Sequence, residues 1–346
     1  MTGVEIKPIR VLVVDDSAFF RRIISEIIES DDRFVVVDTA RNGQEAVEKT
    51  ELLKPDIITL DINMPVMDGL EALHAIMTTQ PTPVIILSSL AVEGAYVTVR
   101  ALEEGAVDFL LKPQSWATIS QEWKRELLQK ILVGYRAKLI GPAGQVKKTP
   151  ITRTQLEKGS SRRRIVAIGS STGGPRALRE VITRLPATFP AAILVVQHMP
   201  PLFTRTLAER LDSAAAVTVK EAESGESIRP GTVYIAPGDY HMVVGKSGSI
   251  VLNQDPPIGT LRPAVDVLFA SVAEHYGAEV VAAVLTGMGS DGRRGAKLIK
   301  EKGGVVLAQS EETCVVYGMP RAVVEAGLAD AVLPLDHIAD EIIKLL

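Results

Sequence analysis

The sequence predicts an α/β protein of two domains, each a mainly parallel sheet with helices on both faces. Three observations carry this. The 346 residues exceed the roughly 100–200 of a single domain. Short apolar runs ending in polar or acidic residues alternate with helical patterns, the signature of strand-helix repeats. Between two such alternations lies a segment rich in charge, Gly, Pro and Ser with little apolar periodicity. The boundaries fall at 1–135, 136–163 and 164–346.

No stretch approaches the roughly 18 unbroken apolar residues of a membrane helix. The apolar run after Ile9 stops at Asp15 and lacks a small-residue cleavage site, so it reads as neither signal peptide nor anchor. One cysteine, Cys314, offers no internal disulfide, and the expectation is a cytoplasmic protein. The formal charge of −4 hides an asymmetry: residues 136 to 164 hold nine Lys or Arg against one acid, Glu157. That segment reads as a basic, flexible linker, either a solvated tether or a contact for an acidic partner.

In the first domain, strands are expected at about 10–15, 33–38, 56–61, 83–88 and 107–111. Helices are expected to begin near Ser17, Gly43, Gly69 and Gly94, with a last one from about Ser115 to Tyr135. In a parallel sheet of this (βα)5 order, the strand ends carrying Asp16, Asp61, Ser88 and Lys112 share one edge. Asp15, Asp16 and Asp61 then make a hard-cation site suited to Mg²⁺. Asp61 is the candidate phosphate acceptor, Ser88 a hydroxyl donor to the new phosphoryl oxygens, and Lys112 its ion-pair partner. The competing reading is an ordinary α/β domain whose acidic residues merely cap helices.

The motifs VVDDS at 13–17, DINMPVMDG at 61–69, SS at 88–89 and DFLLKP at 108–113 occur in the order of a response-regulator receiver domain, which residues 9 to 130 resemble. The resemblance implies a flavodoxin-like fold with Asp61 as phosphoacceptor. It also implies Mg²⁺ held by Asp16, Asp61 and the backbone carbonyl of Asn63, with Asp15 acting through water, and Phe109 as the switch aromatic.

The second domain opens with RIVAIGSSTGGPRAL, a strand, a Gly-rich turn and a helix, in which Gly169, Ser171 and Gly173 match G-x-S-x-G. On its own the turn suits an anion site at a helix N-terminus equally well. AAILVVQHMPP places His198 just after a second strand, and VVAAVLTGMGSDG places Asp291 after a third. A Ser, a His and an Asp then share the carboxyl edge of one sheet, where open α/β folds gather their sites. Ser171 would attack, His198 would carry the proton, and Asp291 would orient the imidazole. His74, His275 and His337 fall at positions expected to be solvated. His241, in DYHMVV, can face the site or the core, and Cys314 reads as small-residue packing.

The order Ser, His, Asp departs from the Ser, Asp, His order of α/β-hydrolases. Residues 164 to 335 instead resemble the catalytic domain of the chemotaxis protein-glutamate methylesterases. The shared motifs are GSSTGG at 169–174, QHMP at 197–200, APGD at 236–239, LTGMGSDG at 285–292 and YGMP at 317–320. Ser170 stands where alanine is expected. The resemblance implies a Rossmann-like, doubly wound, mostly parallel sheet. It further implies an enzyme that removes methyl groups from γ-glutamyl methyl esters of chemoreceptors, releasing methanol, and that deamidates receptor glutamines. Oxyanion donors would be the N–H groups of Thr172 or Gly173 and one near Met288. Glycines 173, 174, 287 and 289 would leave room for a helical substrate.

No cofactor is expected for hydrolysis, and Mg²⁺ belongs to the receiver. The implied partners are methyl-accepting receptors as substrate and a chemotaxis histidine kinase as phosphodonor, with membranes met only through the receptors. The receiver is expected to restrain the hydrolase until Asp61 is phosphorylated. A DNA-binding output is disfavoured, since residues 164 to 346 lack a compact helix-turn-helix or basic helix. The other alternative is a non-catalytic module that only docks on receptors.

Overall fold

The computed structural model describes residues 7–89, 92–113, 119–139, 152–153 and 165–346, which fall into two compact units divided after Gly144. Most of the segment expected as a linker, and the expected helix start at Ser115, lie outside the described residues.

The first unit alternates strictly. It runs β1 (Ile9–Val14), α1 (Ala18–Glu29), β2 (Phe34–Ala40), α2 (Gly43–Leu53), β3 (Ile57–Asp61), α3 (Gly69–Thr79), β4 (Val84–Ser88), α4 (Val92–Glu104), β5 (Asp108–Leu111) and α5 (Gln121–Tyr135). The five strands pair in parallel in the order β2-β1-β3-β4-β5. Every residue of β3 and β4 is buried, as expected of strands covered on both faces. Polar caps start the helices: Ser17 accepts from Phe20 N–H on α1, and Asp68 and Glu71 close a capping box on α3. Order along the sheet reverses between β1 and β3, and there the carboxyl ends open a crevice.

The second unit comprises β6 (Thr152–Arg153), β7 (Ile165–Ser170), α6 (Gly174–Ile182), β8 (Ala192–Gln197), α7 (Phe203–Ala214), β9 (Thr218–Glu221), β10 (Thr232–Ile235), β11 (His241–Val244), β12 (Ile250–Asn253), α8 (Val265–Tyr276), β13 (Val280–Val284), α9 (Arg293–Glu301), β14 (Val305–Gln309), α10 (Met319–Glu325), β15 (Ala331–Leu333) and α11 (Leu335–Leu345). The sheet order is β6-β15-β14-β13-β7-β8-β10-β9, and the strands are parallel apart from β6, which runs antiparallel to β15. Two residues of the expected linker thus add a strand to the edge. β11 and β12 form a separate antiparallel hairpin.

Order in this sheet reverses between β7 and β13, placing the ends of both at a switch point. α8 shows how its sequence builds the core: Val265, Leu268, Phe269, Val272 and Ala273 recur at helical spacing, and all are buried. A side chain at Gly169 would sit 2.4 Å from Val265 Cγ1, so the first glycine of the G-x-S-x-G turn lets α8 close onto β7.

Candidate active site and phosphoacceptor cluster

Ser171 follows β7 directly, His198 follows β8, and Asp291 lies in the turn leading from β13 to α9. The topology therefore brings the three residues to one switch point. His198 Nε2 lies 2.8 Å from Asp291 Oδ2, with both side chains largely buried. Asp291 also accepts from the N–H groups of Val265 (2.7 Å), Asp266 (2.9 Å) and Gly292 (2.9 Å). Burial alone would raise its carboxyl, but the hydrogen bond and charge of His198, helped by the N–H groups of Asp266 and Val265, outweigh it and hold the group below the usual carboxylate range. The first turn of α8 adds the positive end of a helix dipole to the same carboxylate.

Because Asp291 takes Nε2, the imidazole nitrogen left for a proton from serine is Nδ1. Ser171 Oγ is not hydrogen-bonded to His198 in this structure, a separation common before substrate closes a site. The neighbouring hydroxyl is already committed: Ser170 is fully buried and donates to Gln197 Oε1 at 2.7 Å. Of the two serines in the turn, Ser171 alone has a hydroxyl free of such a bond.

The nucleophile turn is held from behind by residues that the sequence did not single out. Ser171 N–H donates to Thr286 O at 3.0 Å, and Thr286 Oγ1 lies 3.0 Å from Thr172 O while accepting from Val316 N–H at 3.0 Å. Thr286 N–H in turn donates to Gln309 Oε1 at 2.8 Å. Gln197 Nε2 donates to the carbonyls of Ser171 (3.0 Å) and His198 (3.2 Å). The signal that could have found these residues is a polar side chain at the end of an otherwise apolar strand, true of Gln197 and Gln309, since a buried amide needs partners.

Thr172 and Gly173 are buried, and Met288 is 38% exposed at the rim. The expected openness of the glycines is corrected in three of four cases. A Cβ at Gly173 would meet Val315 at 2.6 Å, at Gly174 Gln197 Oε1 at 1.9 Å, and at Gly287 Met319 Sδ at 2.4 Å and Ser171 Cβ at 2.8 Å. These positions are small because the surroundings are packed. Only Gly289, with φ of 82°, faces open space. His241 belongs to the core: it is 1% exposed, and its Nδ1 accepts from Ala264 N–H at 3.3 Å. Asp239 is paired with Arg262 at 2.6 Å, and Cys314 is buried.

In the first unit, carboxylate oxygens of Asp15, Asp16 and Asp61 lie within 4.8 Å of one another. Lys112 Nζ bridges two of them, 2.6 Å from Asp15 and 2.8 Å from Asp61. Burial pushes the Asp61 carboxyl up, and the Lys112 charge only partly offsets this. Three converging carboxylates against one ammonium leave negative charge in a hard-oxygen cluster, which fits a divalent cation. Asn63, exposed, lies two residues past Asp61. A side chain at Gly69 would stand 2.1 Å from Asp61 O, so this glycine lets α3 start against the acceptor strand. Ser88 Oγ is bonded by the Thr98 hydroxyl at 2.6 Å, and Phe109 is buried beneath Lys130, whose Nζ is 5.9 Å from the ring centroid.

Among the described residues no helix is long and apolar enough to cross a membrane. Residues 166–342 match the family model described as CheB methylesterase, and residues 11–124 match the response regulator receiver domain. Curated relatives called protein-glutamate methylesterase/protein-glutamine glutaminase are similar along nearly their whole length. That of Symbiobacterium thermophilum is 48% identical over 351 residues, covering 98% of this chain and 97% of its own. That of Archaeoglobus fulgidus is 50% identical over 343 residues, covering 97% and 98%. Among solved structures, the catalytic domain of Thermotoga maritima CheB methylesterase is 51% identical with a TM-score of 0.52, covering 54% of this chain and 100% of that one.

Proposed function

The chain belongs to the CheB methylesterase family, with a receiver domain ahead of its catalytic domain, and on that footing we propose how its residues perform the reaction. It is a protein-glutamate methylesterase and protein-glutamine glutaminase of bacterial-type chemotaxis, working on chemoreceptor side chains in the cytoplasm. Ser171 Oγ attacks the γ-carbonyl carbon of a glutamyl methyl ester while His198 Nδ1 takes the hydroxyl proton. That proton then leaves with the methoxy group as methanol. A water molecule, activated by the same imidazole, hydrolyses the acyl-serine and frees glutamate. A glutamine substrate runs the same course with ammonia as the leaving product.

Asp291 holds the imidazole and favours its charged form. The N–H of Ser171 is occupied by Thr286 O, so oxyanion donors have to come from the following backbone at Thr172 or Gly173 and from the turn at Met288. The observation carrying this reading is the buried 2.8 Å contact of His198 Nε2 with Asp291 Oδ2 beside a serine at the switch point. A module that merely docked on receptors would leave that pair without a task.

In the receiver, Asp61 accepts a phosphoryl group from a chemotaxis histidine kinase. Asp15, Asp16, Asp61 and the Asn63 carbonyl are the groups that would hold Mg²⁺, which when bound neutralises charge on the incoming phosphoryl oxygens. Lys112 pairs with the new phosphate, Ser88 turns toward it, and Phe109 follows, so the receiver surface around Phe109 changes. The test is methanol release from methylated receptor membranes, with and without a small phosphodonor, for wild type, Ser171→Ala and Asp61→Asn. Loss of turnover in Ser171→Ala and loss of the phosphodonor response in Asp61→Asn are expected. Methanol release by Ser171→Ala at the wild-type rate would overturn the nucleophile assignment.

A further inference from the structure

The nucleophile and the base of this site leave adjacent strands, β7 and β8, whose ends pair at Ser170 and Gln197. Gln197, the last residue of β8, is 2% exposed and reaches under the turn with its amide. Its NH₂ group donates to two backbone carbonyls, that of Ser171 at 3.0 Å and that of His198 at 3.2 Å. Two carbonyl acceptors on one side require the nitrogen to lie there, so Oε1 must face Ser170, and the Ser170 hydroxyl must donate to it. That bond is 2.7 Å long in a fully buried setting. Gly174 closes the arrangement, since a Cβ there would lie 1.9 Å from Gln197 Oε1.

We infer that Gln197 is a positioning residue for the hydrolysis, holding the carbonyls of Ser171 and His198 on one amide, and that Ser170 fixes the orientation of that amide. This rests on the reading of Ser171 and His198 given above. Ser171 Oγ and His198 are not hydrogen-bonded to each other here, so their approach depends on the backbones that carry them. One side chain that bonds both backbones sets that separation, and a displacement of about 1 Å in such a pair costs on the order of 100-fold in rate. The serine at position 170, where alanine is expected, gives the buried Oε1 a donor it would otherwise lack.

The experiment compares wild type, Gln197→Met, Ser170→Ala and the double variant in the full-length protein. Methanol release gives kcat and KM. The reaction of Ser171 with a small fluorophosphonate, which forms the Oγ–P bond and expels fluoride, reads nucleophile activation without receptor docking and also counts competent sites. Gln197→Met is close in size and removes all three side-chain hydrogen bonds. Its kcat and phosphonylation rate per competent site should fall by about 10- to 100-fold with KM within about twofold of wild type. Ser170→Ala should lose about 3- to 10-fold in both rates, and the double variant should be no slower than Gln197→Met, because Ser170 acts only through Gln197.

Wild-type rates per competent site in Gln197→Met, with only a lower unfolding temperature, would reduce the amide to a fold-stabilising part and overturn the inference. An additive double variant would overturn the role given to Ser170. Should Gln197→Met not fold, Ser170→Ala decides, and an unchanged phosphonylation rate sinks the proposal. Failure of the underlying reading looks different: the wild type itself would release no methanol, or Ser171→Ala would still react with the fluorophosphonate at this site.

Discussion

Asp291 and Asp266 each cap the helix that the other begins. Asp291, just before α9, accepts the N–H groups of Val265 and Asp266 in the first turn of α8, while Asp266 Oδ1 accepts Gly295 N–H in the first turn of α9 at 2.8 Å. The two carboxyls are nevertheless pushed in opposite directions. Burial and the neighbouring charge of Asp291 raise Asp266, despite its backbone hydrogen bonds. For Asp291 the imidazole tips the balance downward despite burial.

Asp291→Asn keeps the size and the acceptor oxygen but removes the charge facing His198. Methylesterase turnover should fall by about two to four orders of magnitude while the fold persists, as circular dichroism will check. The lowered carboxyl makes a second mark. Its stabilising contribution is complete above the unfolded value of about 3.9 and is lost as pH falls through the folded value. Wild type should therefore lose stability with acid over that window more steeply than the Asn variant, read as unfolding temperature against pH.

Asp266 serves α9 and makes no bond to His198. Asp266→Asn retains an acceptor for Gly295 N–H and relieves the repulsion from Asp291, so turnover should stay within about threefold of wild type and stability should not fall. Asp266→Ala should cost about 1 kcal/mol through loss of the cap, measured by denaturant unfolding. A hundredfold loss of turnover in Asp266→Asn would mean that this residue, and not Asp291, carries the charge the imidazole needs.

The same reasoning applied to the receiver gives the opposite sign. Asp61 is raised by burial, so its ionisation destabilises the fold at any pH above that raised value, and the cost vanishes below the unfolded value of about 3.9. Asp61→Asn should therefore raise the receiver's unfolding temperature at pH 7 without Mg²⁺, with the gain shrinking on acidification. The variant should also be blind to acetyl phosphate. A lower unfolding temperature at pH 7 would show that pairing with Lys112 outweighs desolvation.

Gly287 and Gly289 frame Met288 but answer to different constraints. At Gly287 a methyl group would press on Met319 and on Ser171 Cβ, so Gly287→Ala should cost about 1–3 kcal/mol and at least tenfold in turnover. At Gly289 only the positive φ is at stake, and Gly289→Ala should cost about 1 kcal/mol with turnover nearly kept. Equal losses in both variants would mean that space for substrate governs the whole turn.

The part of the molecule most legible in the sequence was the part fixed by periodicity and strand ends. Asp61, Lys112, Ser171, His198 and Asp291 all follow apolar runs, and a parallel sheet gathers such ends whatever lies between them. The helix α4 begins at Val92, two residues before the glycine read as its start. Less legible was everything that works through backbone atoms. Thr286 bonds backbone carbonyls and N–H groups, which leave no trace in residue type, and Gln197 shows only as a polar residue ending an apolar strand. Three glycines read as room for substrate are instead points of close packing, because a missing side chain looks the same in a sequence whether the space is empty or filled by a neighbour.

If the receiver restrains the hydrolase, residues 145–346 alone should release methanol faster than the unphosphorylated full chain at matched concentration. That gain can be no larger than the docking free energy of the unphosphorylated receiver, and activation by phosphorylation can be no larger than the difference in docking free energy between the two forms. Equal rates would rule out steric restraint and leave activation by phosphorylation to another mechanism.

The short strand β6 carries a consequence for any such excision. Thr152 and Arg153 pair with Val332 and Ala331 on the outer side of β15, and a cut made later in the chain would strip that edge of its partner. A bare edge strand recruits another like itself. Fragments begun past Arg153 should accordingly self-associate, visible as a concentration-dependent mass in light scattering, whereas those begun at Gln145 should not.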